Sequence, residues 1–322
     1  MEIMLDPRLD LESPLKGRDF ISIHDLQEDE LSRIFELAAV LKEKQRRREP
    51  HRLLEGKTLG MIFTKSSTRT RVSFQVGMYQ LGGHPLFLSA NDLQLRRGES
   101  IKDTALTLSR YLDGLMIRTF DHQDVVELAR YATIPVINGL TDLLHPCQVM
   151  GDLFTILEQK GQLAGLKLAF IGDGNNVAHS LLDGGAKVGM NVTIACPPGY
   201  EPKAEILERS RLDAQTTGAE LEVVHDPKAA VEGADVIYTD VWASMGMEAE
   251  TEQRKRDFTG FTVDQALLAR ANPKAMVMHC LPAHRGEEIS DEVIDGPQSV
   301  VFEEAENRLH VQKAILALLM TG

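Results

Sequence analysis

Nine short apolar runs alternate with helix-length amphipathic stretches along the 322-residue chain, and this alternation constrains the fold more than any other feature. The runs fall at residues 59–63, 85–88, 115–117 and 135–137, then at 168–171, 192–195, 221–224, 236–239 and 276–278. Short runs of this kind read as strands, and helical patterns between them read as crossover connections covering parallel sheet. The expected class is therefore α/β, with two doubly wound parallel-sheet domains and a site in the cleft between them. A helical stretch over 149–160 joins the two, and another over 305–319 ends the chain. The length accommodates two domains of ordinary size, expected at 1–150 and 151–304.

Composition narrows the function. Hydrophobic residues at 43% and charged residues at 26% are those of a globular protein, and no apolar run has the length to cross a bilayer. Residues 1–16 carry Glu2, Asp6, Asp10 and Glu12 and lack a signal-peptide core, so they read as a surface extension. A net charge of −13 argues against nucleic acid or acidic membrane as a partner. It leaves room for an anionic substrate, because screening beyond about 8 Å lets a local arginine cluster dominate. Cys147, Cys196 and Cys280 lie far apart with no paired spacing, which suits a reducing cytoplasm.

The first motif is Ser67-Thr68-Arg69-Thr70, where the run at 59–63 gives way to a helical pattern. Hydroxyls, a guanidinium and free N–H groups at a helix N-terminus make an anion site, so a phosphate-bearing small molecule is expected. Upstream, Asp25 with Glu28 resembles a capping box, followed by an apolar face of Leu31, Ile34, Phe35, Ala38 and Leu41. Arg46, Arg47 and Arg48 in its last turn read as dipole compensation on a wet face. Glu55-Gly56-Lys57-Thr58 looks like the end of a P-loop, but it precedes its strand and has His51 at the first glycine position. A turn explains it.

Gly172-Asp173-Gly174-Asn175-Asn176-Val177 follows a strand and opens a helix as a dinucleotide fingerprint does. Val177 replaces the third glycine and the acidic residue about 20 positions on is missing, which disfavours a dehydrogenase. The two asparagines remain placed to bond a small polar ligand. His145-Pro146-Cys147-Gln148 lies at the switch between the two proposed domains, where α/β proteins bind ligands. His279-Cys280-Leu281-Pro282-Ala283-His284 invites a metal, but adjacent residues in extended chain point apart and no zinc spacing is present. No metal and no cofactor are called for; a cysteine beside a proline bend can instead touch substrate. Asp240-Val241-Trp242-Ala243-Ser244-Met245-Gly246 ends a strand with a carboxylate suited to an amine, and the polar stretch over 248–257 reads as a mobile loop or an exposed helix.

Together these segments resemble the ornithine carbamoyltransferases. The likeness rests on Phe63 through Arg71, Met116-Ile117-Arg118, His145 through Gln148, Gly174-Asn175-Asn176, Asp240 through Gly246, and His279 through Pro282, all in the family's order. The resemblance implies that residues 305–322 return to the first domain, which binds carbamoyl phosphate, and that the second binds ornithine. It implies a phosphate set of Ser67, Thr68, Arg69, Thr70, Arg118, His145 and Gln148, with Arg308 reaching in from the last helix. Ornithine falls to Asn176, Asp240, Ser244 and Met245, with Cys280 and Leu281 between the two substrates. Gln94 matches a residue lent to a neighbouring subunit, implying a homotrimer or an assembly of trimers. Arg96 stands where relatives usually carry glycine.

The implied reaction is attack of the δ-amine on the carbamoyl carbon with departure of phosphate, giving citrulline. Thr70, Arg118 and His145 would aim donors at the carbonyl oxygen, while Gln148 and the Leu281 carbonyl would fix the carbamoyl NH₂. Asn176 and the Ser244–Met245 backbone would take the α-carboxylate and Asp240 the α-amine. Cys280 would help select or complete deprotonation of the δ-amine, and the leaving phosphate is the other acceptor. Residues 242–257 are expected to close over bound amino acid. A putrescine or aspartate carbamoyltransferase is the alternative enzyme, and a non-catalytic phosphometabolite sensor the alternative of another class. Putrescine would leave Asn176 and Ser244 without a task, aspartate would need cations for its second carboxylate, and a sensor could dispense with Arg118, His145 or Cys280.

Overall fold

The computed structural model describes residues 14–89, 98–244 and 246–321. The nine expected strands all form, each within a few residues of its sequence bounds, and every strand pairing is parallel. Contacts divide the chain into two compact units: residues up to Gly151 with the chain from Asn307 onward, and Asp152–Glu306.

In the first unit, β1 (Thr58–Phe63), β2 (His84–Ser89), β3 (Gly114–Arg118) and β4 (Val136–Leu140) form a sheet of order β2-β1-β3-β4. Its helices are α1 (Glu28–Arg46), α2 (Thr68–Gln80), α3 (Ile101–Leu108) and α4 (His122–Tyr131). One face of the sheet packs Ile62, Leu115, Ile117 and Val136 against Ala105, Val125 and Leu128 of α3 and α4. Strand β4 runs three residues past its expected end, through Asn138 and Gly139, and the pairing with β3 shifts register between Ile117 and Arg118. A polar residue and a glycine hid that extension; Asn138 is buried because its amide donates to the Ile21 carbonyl.

The expected cap of α1 is corrected. Gln27 is the N-cap, and Glu30, not Glu28, closes the box by accepting from the Gln27 N–H. Asp25 belongs to a separate 3-10 turn, Ile23–Asp25, capped by Ser22.

The second unit carries β5 (Lys167–Ile171), β6 (Asn191–Ala195), β7 (Leu221–Val224), β8 (Val236–Thr239) and β9 (Met276–His279), in the order β7-β6-β5-β8-β9. Helices α6 (Asn176–Val188), α7 (Ala204–Thr217), α8 (Pro227–Val231), α9 (Thr251–Asp257), α10 (Gln265–Leu268) and α11 (Asp291–Ile294) surround it. Two helices span the unit boundaries: α5 (Pro146–Lys160) starts three residues before its expected position, and α12 (Val301–Met320) four before. One core cluster of this unit gathers Ala169, Ile171, Ile237 and Val277 with Trp242, Phe258 and Phe261.

The stretch at 248–257 is a 3-10 turn, Glu248–Glu250, running into α9, so of its two readings it is the helix, not the mobile loop, that forms. Arg254 of α9 is buried, and Trp242 stacks on Phe258 at 5.6 Å between centroids.

Candidate functional site

Each sheet reverses its strand order at one point: between β1 and β3 in the first unit, and between β5 and β8 in the second. Loops leaving the carboxyl ends of two such strands diverge to opposite faces and open a crevice. The candidate residues cluster at both reversals.

In the first unit, β1 leads through Thr64 and Lys65 into α2. Ser67 is the N-cap in extended conformation, its Oγ accepting the Thr70 N–H at 3.2 Å. Thr68 and Arg69 occupy the first turn, where backbone N–H groups have no helical acceptor. Thr70 is fully buried, and its Oγ1 accepts from Arg308 Nη2 at 2.9 Å and, at the long limit, from Arg118 Nη1 at 3.5 Å. Arg118 ends β3 and Arg308 lies on α12, so three distant segments meet at one hydroxyl. Gln148, buried on the first turn of α5, donates its N–H to the His145 carbonyl at 3.1 Å.

His145 is buried within this cluster. Burial first, then the positive charges of Arg308, Arg118, Lys65 and Arg69, push its imidazole well below the usual histidine range. It is neutral at physiological pH and offers one N–H donor. Four cations converging on a buried neutral imidazole create a strongly positive potential that an incoming dianion would relieve. Lys65 carried no role in the sequence reading; it is 5% exposed and its Nζ pairs with Asp142 at 2.9 Å. Its place inside the Phe63–Arg71 motif was the available signal. Cys147, between the two named residues of its motif, points away: its Sγ donates to the Asn138 carbonyl at 3.3 Å, and burial pushes the thiol up to about 12.

In the second unit, β8 delivers Asp240 and β9 delivers Cys280, two strands paired in register at Thr239 and His279. The Cys280 Sγ donates to Asp240 Oδ1 at 3.0 Å, and Asn175 Nδ2 donates to Asp240 Oδ2 at 2.8 Å. Burial, then the Asp240 carboxylate, raises the Cys280 thiol well above its ordinary value. Cys280 is thus a protonated donor to Asp240, not a thiolate. Of the two candidate asparagines, Asn175 is consumed structurally, because its Oδ1 also accepts from the Val177 and Ala178 N–H groups as the cap of α6. Asn176, partly buried at the first position of α6, stays with the candidate set. Gly174 permits the tight approach of the neighbouring loop; a Cβ there would sit 2.3 Å from the Pro202 nitrogen.

Leu281 has φ of 56°, an unfavourable region for a branched side chain, and precedes a cis proline. His279 holds this turn: its Nδ1 accepts the Leu281 N–H at 2.9 Å, while its Nε2 faces Glu288 Oε1 at 3.1 Å. The argument that adjacent His279 and Cys280 must point apart is corrected. Strand β9 ends at His279, and ligand-type atoms of Asp240, His279 and Cys280 lie within 4.8 Å of one another. Both imidazole nitrogens are already engaged, however, and the thiol is spent on Asp240, so the donor set does not suit a metal ion.

Ser244 is partly buried beyond Asp240 and its carbonyl accepts the Met247 N–H at 2.9 Å. Met245 and Gln94 lie outside the described residues, as does Arg96. Sequence reading also missed what fixes this loop. Arg254 donates to Asp173 Oδ2 and to the Trp242 carbonyl, each at 2.8 Å, and to Glu250 Oε2 at 2.9 Å. The pairing joins the turn after β5 to the segment after β8 within the second unit.

Comparison with known proteins matches both parts of the chain to one family. Residues 18–158 match the aspartate/ornithine carbamoyltransferase carbamoyl-P binding domain, and residues 164–319 the Asp/Orn binding domain of the same family. The chain is 62% identical to an ornithine carbamoyltransferase of Symbiobacterium thermophilum, across 95% of this chain and 99% of that one. It is 57% identical to an anabolic ornithine carbamoyltransferase of Pyrococcus furiosus, across 96% and 98%. The solved structure of ornithine carbamoyltransferase from Pyrococcus furiosus superposes with a TM-score of 0.93, covering 95% of this chain and 98% of that chain.

Proposed function

Since the chain belongs to the aspartate/ornithine carbamoyltransferase family, we infer that it transfers the carbamoyl group of carbamoyl phosphate to the δ-amine of L-ornithine. The products are L-citrulline and phosphate, and the reaction is a step of arginine biosynthesis. The observation that carries the assignment of the phosphate end is the set of cations around His145: Arg308, Arg118, Lys65 and Arg69.

Phosphate binds at the start of α2, held by Arg69, the Ser67 and Thr68 hydroxyls and the first-turn N–H groups. Charge-assisted bonds of this kind contribute about 1.5–3 kcal/mol each. Thr70, Arg118 and neutral His145 direct donors at the carbamoyl oxygen, and Arg308 fixes the Thr70 hydroxyl. As the amine attacks, that oxygen gains negative charge and these contacts strengthen, which lowers the barrier. Gln148 orients the carbamoyl NH₂ beside the other first-unit donors.

At the other substrate, Asp240 receives the α-amino group, and Asn176 with the Ser244–Met245 backbone receives the α-carboxylate. An alkyl δ-amine has a reference pKa of about 10.4, so drawing its free base from solvent at about pH 8 costs about 3 kcal/mol. Cys280 does not take that proton as a thiolate, because its S–H already points at Asp240. It orients the nitrogen, and the departing phosphate accepts the proton. Gln94 of a neighbouring subunit completes the phosphate site in a cytoplasmic homotrimer. Exposed Val72 and Tyr79 on α2 and Leu86 on the edge strand β2 support a subunit contact on that side.

Phosphate release with carbamoyl phosphate and each of ornithine, putrescine and aspartate tests the reading. Turnover with ornithine alone is expected; equal turnover with putrescine would remove the roles of Asn176 and Ser244.

A further inference from the structure

Glu304 is a buried carboxyl group that the mechanism above does not use. It sits on α12, 1% exposed, and binds both strands that carry the amine-side pair. Its Oε2 accepts the N–H of His279, the residue before Cys280, at 3.0 Å. Its Oε1 accepts the hydroxyl of Tyr238, two residues before Asp240, at 3.2 Å. The buried Asp152 of α5 shares a hydrogen bond with the same carboxyl group. Burial, and then Asp152, push Glu304 well above the usual carboxylate range.

We propose that Glu304 is a positioning residue for ornithine, a clamp from α12 that sets the carboxyl ends of β8 and β9 so that Asp240 and Cys280 meet. The proposal rests on the reading of Asp240 and Cys280 as the amine end of the site. A strand end is its least constrained part, and β9 is the edge strand of its sheet. Beyond His279 the chain turns at once through the positive-φ Leu281, so a small shift of the His279 peptide re-aims the Cys280 thiol. Tying that peptide and the Tyr238 side chain to one buried group fixes the spacing of the two strand ends. Solvent cannot replace Glu304, because Tyr238 and His279 are both fully buried.

The test is steady-state kinetics of the full-length enzyme with Glu304→Ala, Glu304→Gln, Tyr238→Phe and Asp240→Asn. Glu304→Ala is expected to raise the ornithine KM at least tenfold while the carbamoyl phosphate KM stays within twofold. Glu304→Gln keeps an acceptor for His279 and a donor for Asp152, and is expected to recover to within threefold of wild type. Tyr238→Phe, which deletes a single oxygen, is expected to raise the ornithine KM about threefold and decides the matter if Glu304→Ala does not fold. Alkylation of Cys280 by iodoacetamide at about pH 8, followed by peptide mapping, is expected to quicken at least fivefold in Glu304→Ala and measurably in Tyr238→Phe. An unchanged ornithine KM and unchanged alkylation in these variants, with Asp240→Asn impaired, would overturn the proposal. An unimpaired Asp240→Asn would overturn the reading of the amine end instead.

Discussion

Lys313 offers a quantitative check on the packing of the first unit. The side chain is fully buried on α12, and its Nζ donates to Gln45 Oε1 at 2.8 Å and Gln80 Oε1 at 3.0 Å, with His51 Nε2 at 3.3 Å. These partners are neutral amides and an imidazole that burial holds below its usual range. Burial therefore dominates and lowers the ammonium from 10.5 to about 8. A folded-state value below the unfolded one means that protonated Lys313 opposes folding. The penalty is full below about pH 8, fades as pH rises, and is gone above the unfolded value. At 1.36 kcal/mol per unit, the whole penalty is about 3 kcal/mol, of which about 2 kcal/mol disappears between about pH 7.5 and 9.5. Lys313→Met has no such titration, and subtracting one protein from the other cancels the groups they share. Urea unfolding followed by far-ultraviolet circular dichroism at those two pH values should show wild type gaining about 2 kcal/mol on the variant. Parallel stability curves would refute the argument, since they would mean that Lys313 is solvated or compensated by a charge.

Three further outcomes follow from the site. Because His145 is neutral through the physiological range, His145→Gln should lose roughly 10²-fold in kcat, the usual cost of an oxyanion donor. It should leave the acid limb of the pH profile unmoved; loss of a limb near 6.5 in the variant would mean that the imidazole titrates in the enzyme. Cys280→Ser should raise the ornithine KM several-fold while the profile keeps its shape between about pH 7 and 9, because a thiol raised well above its ordinary value does not ionise there; a displaced profile would restore it as a base. Arg254→Gln breaks a buried ion pair and leaves Asp173 uncompensated, which typically costs about 3–5 kcal/mol. Thermal unfolding read by Trp242, the only tryptophan, should show it, and an unchanged transition would mean that the pair is solvated.

The sequence exposes some of this design and conceals the rest for a physical reason. Strands buried on both faces leave a local record of apolar residues, and seven of the nine are of this kind; the edge strands β2 and β7 are partly exposed but still carry short apolar runs. The first-turn hydroxyls of α2 are equally local, because a helix N-terminus recruits acceptors from its own chain. Charged residues that end up buried leave no such record. Arg254 reads as one more cation in a polar stretch until Asp173, 81 residues away, is brought to it. Lys42 looks like a surface residue of an amphipathic helix, yet its Nζ donates to Asn307 Oδ1 across 265 residues. Glu304 was placed before the expected start of the last helix, and only the meeting of β8, β9 and α12 makes it a buried partner. Burial of charge is a property of partners, and partners are set by strand order. The same limit explains why the motifs could be recognised singly but not assembled by spacing alone. Thr70 and Arg118 become neighbours because β3 lies beside β1 at the reversal in one sheet. Asn175 reaches Asp240 because β8 lies beside β5 in the other, and that adjacency turns two strand-end motifs into one site.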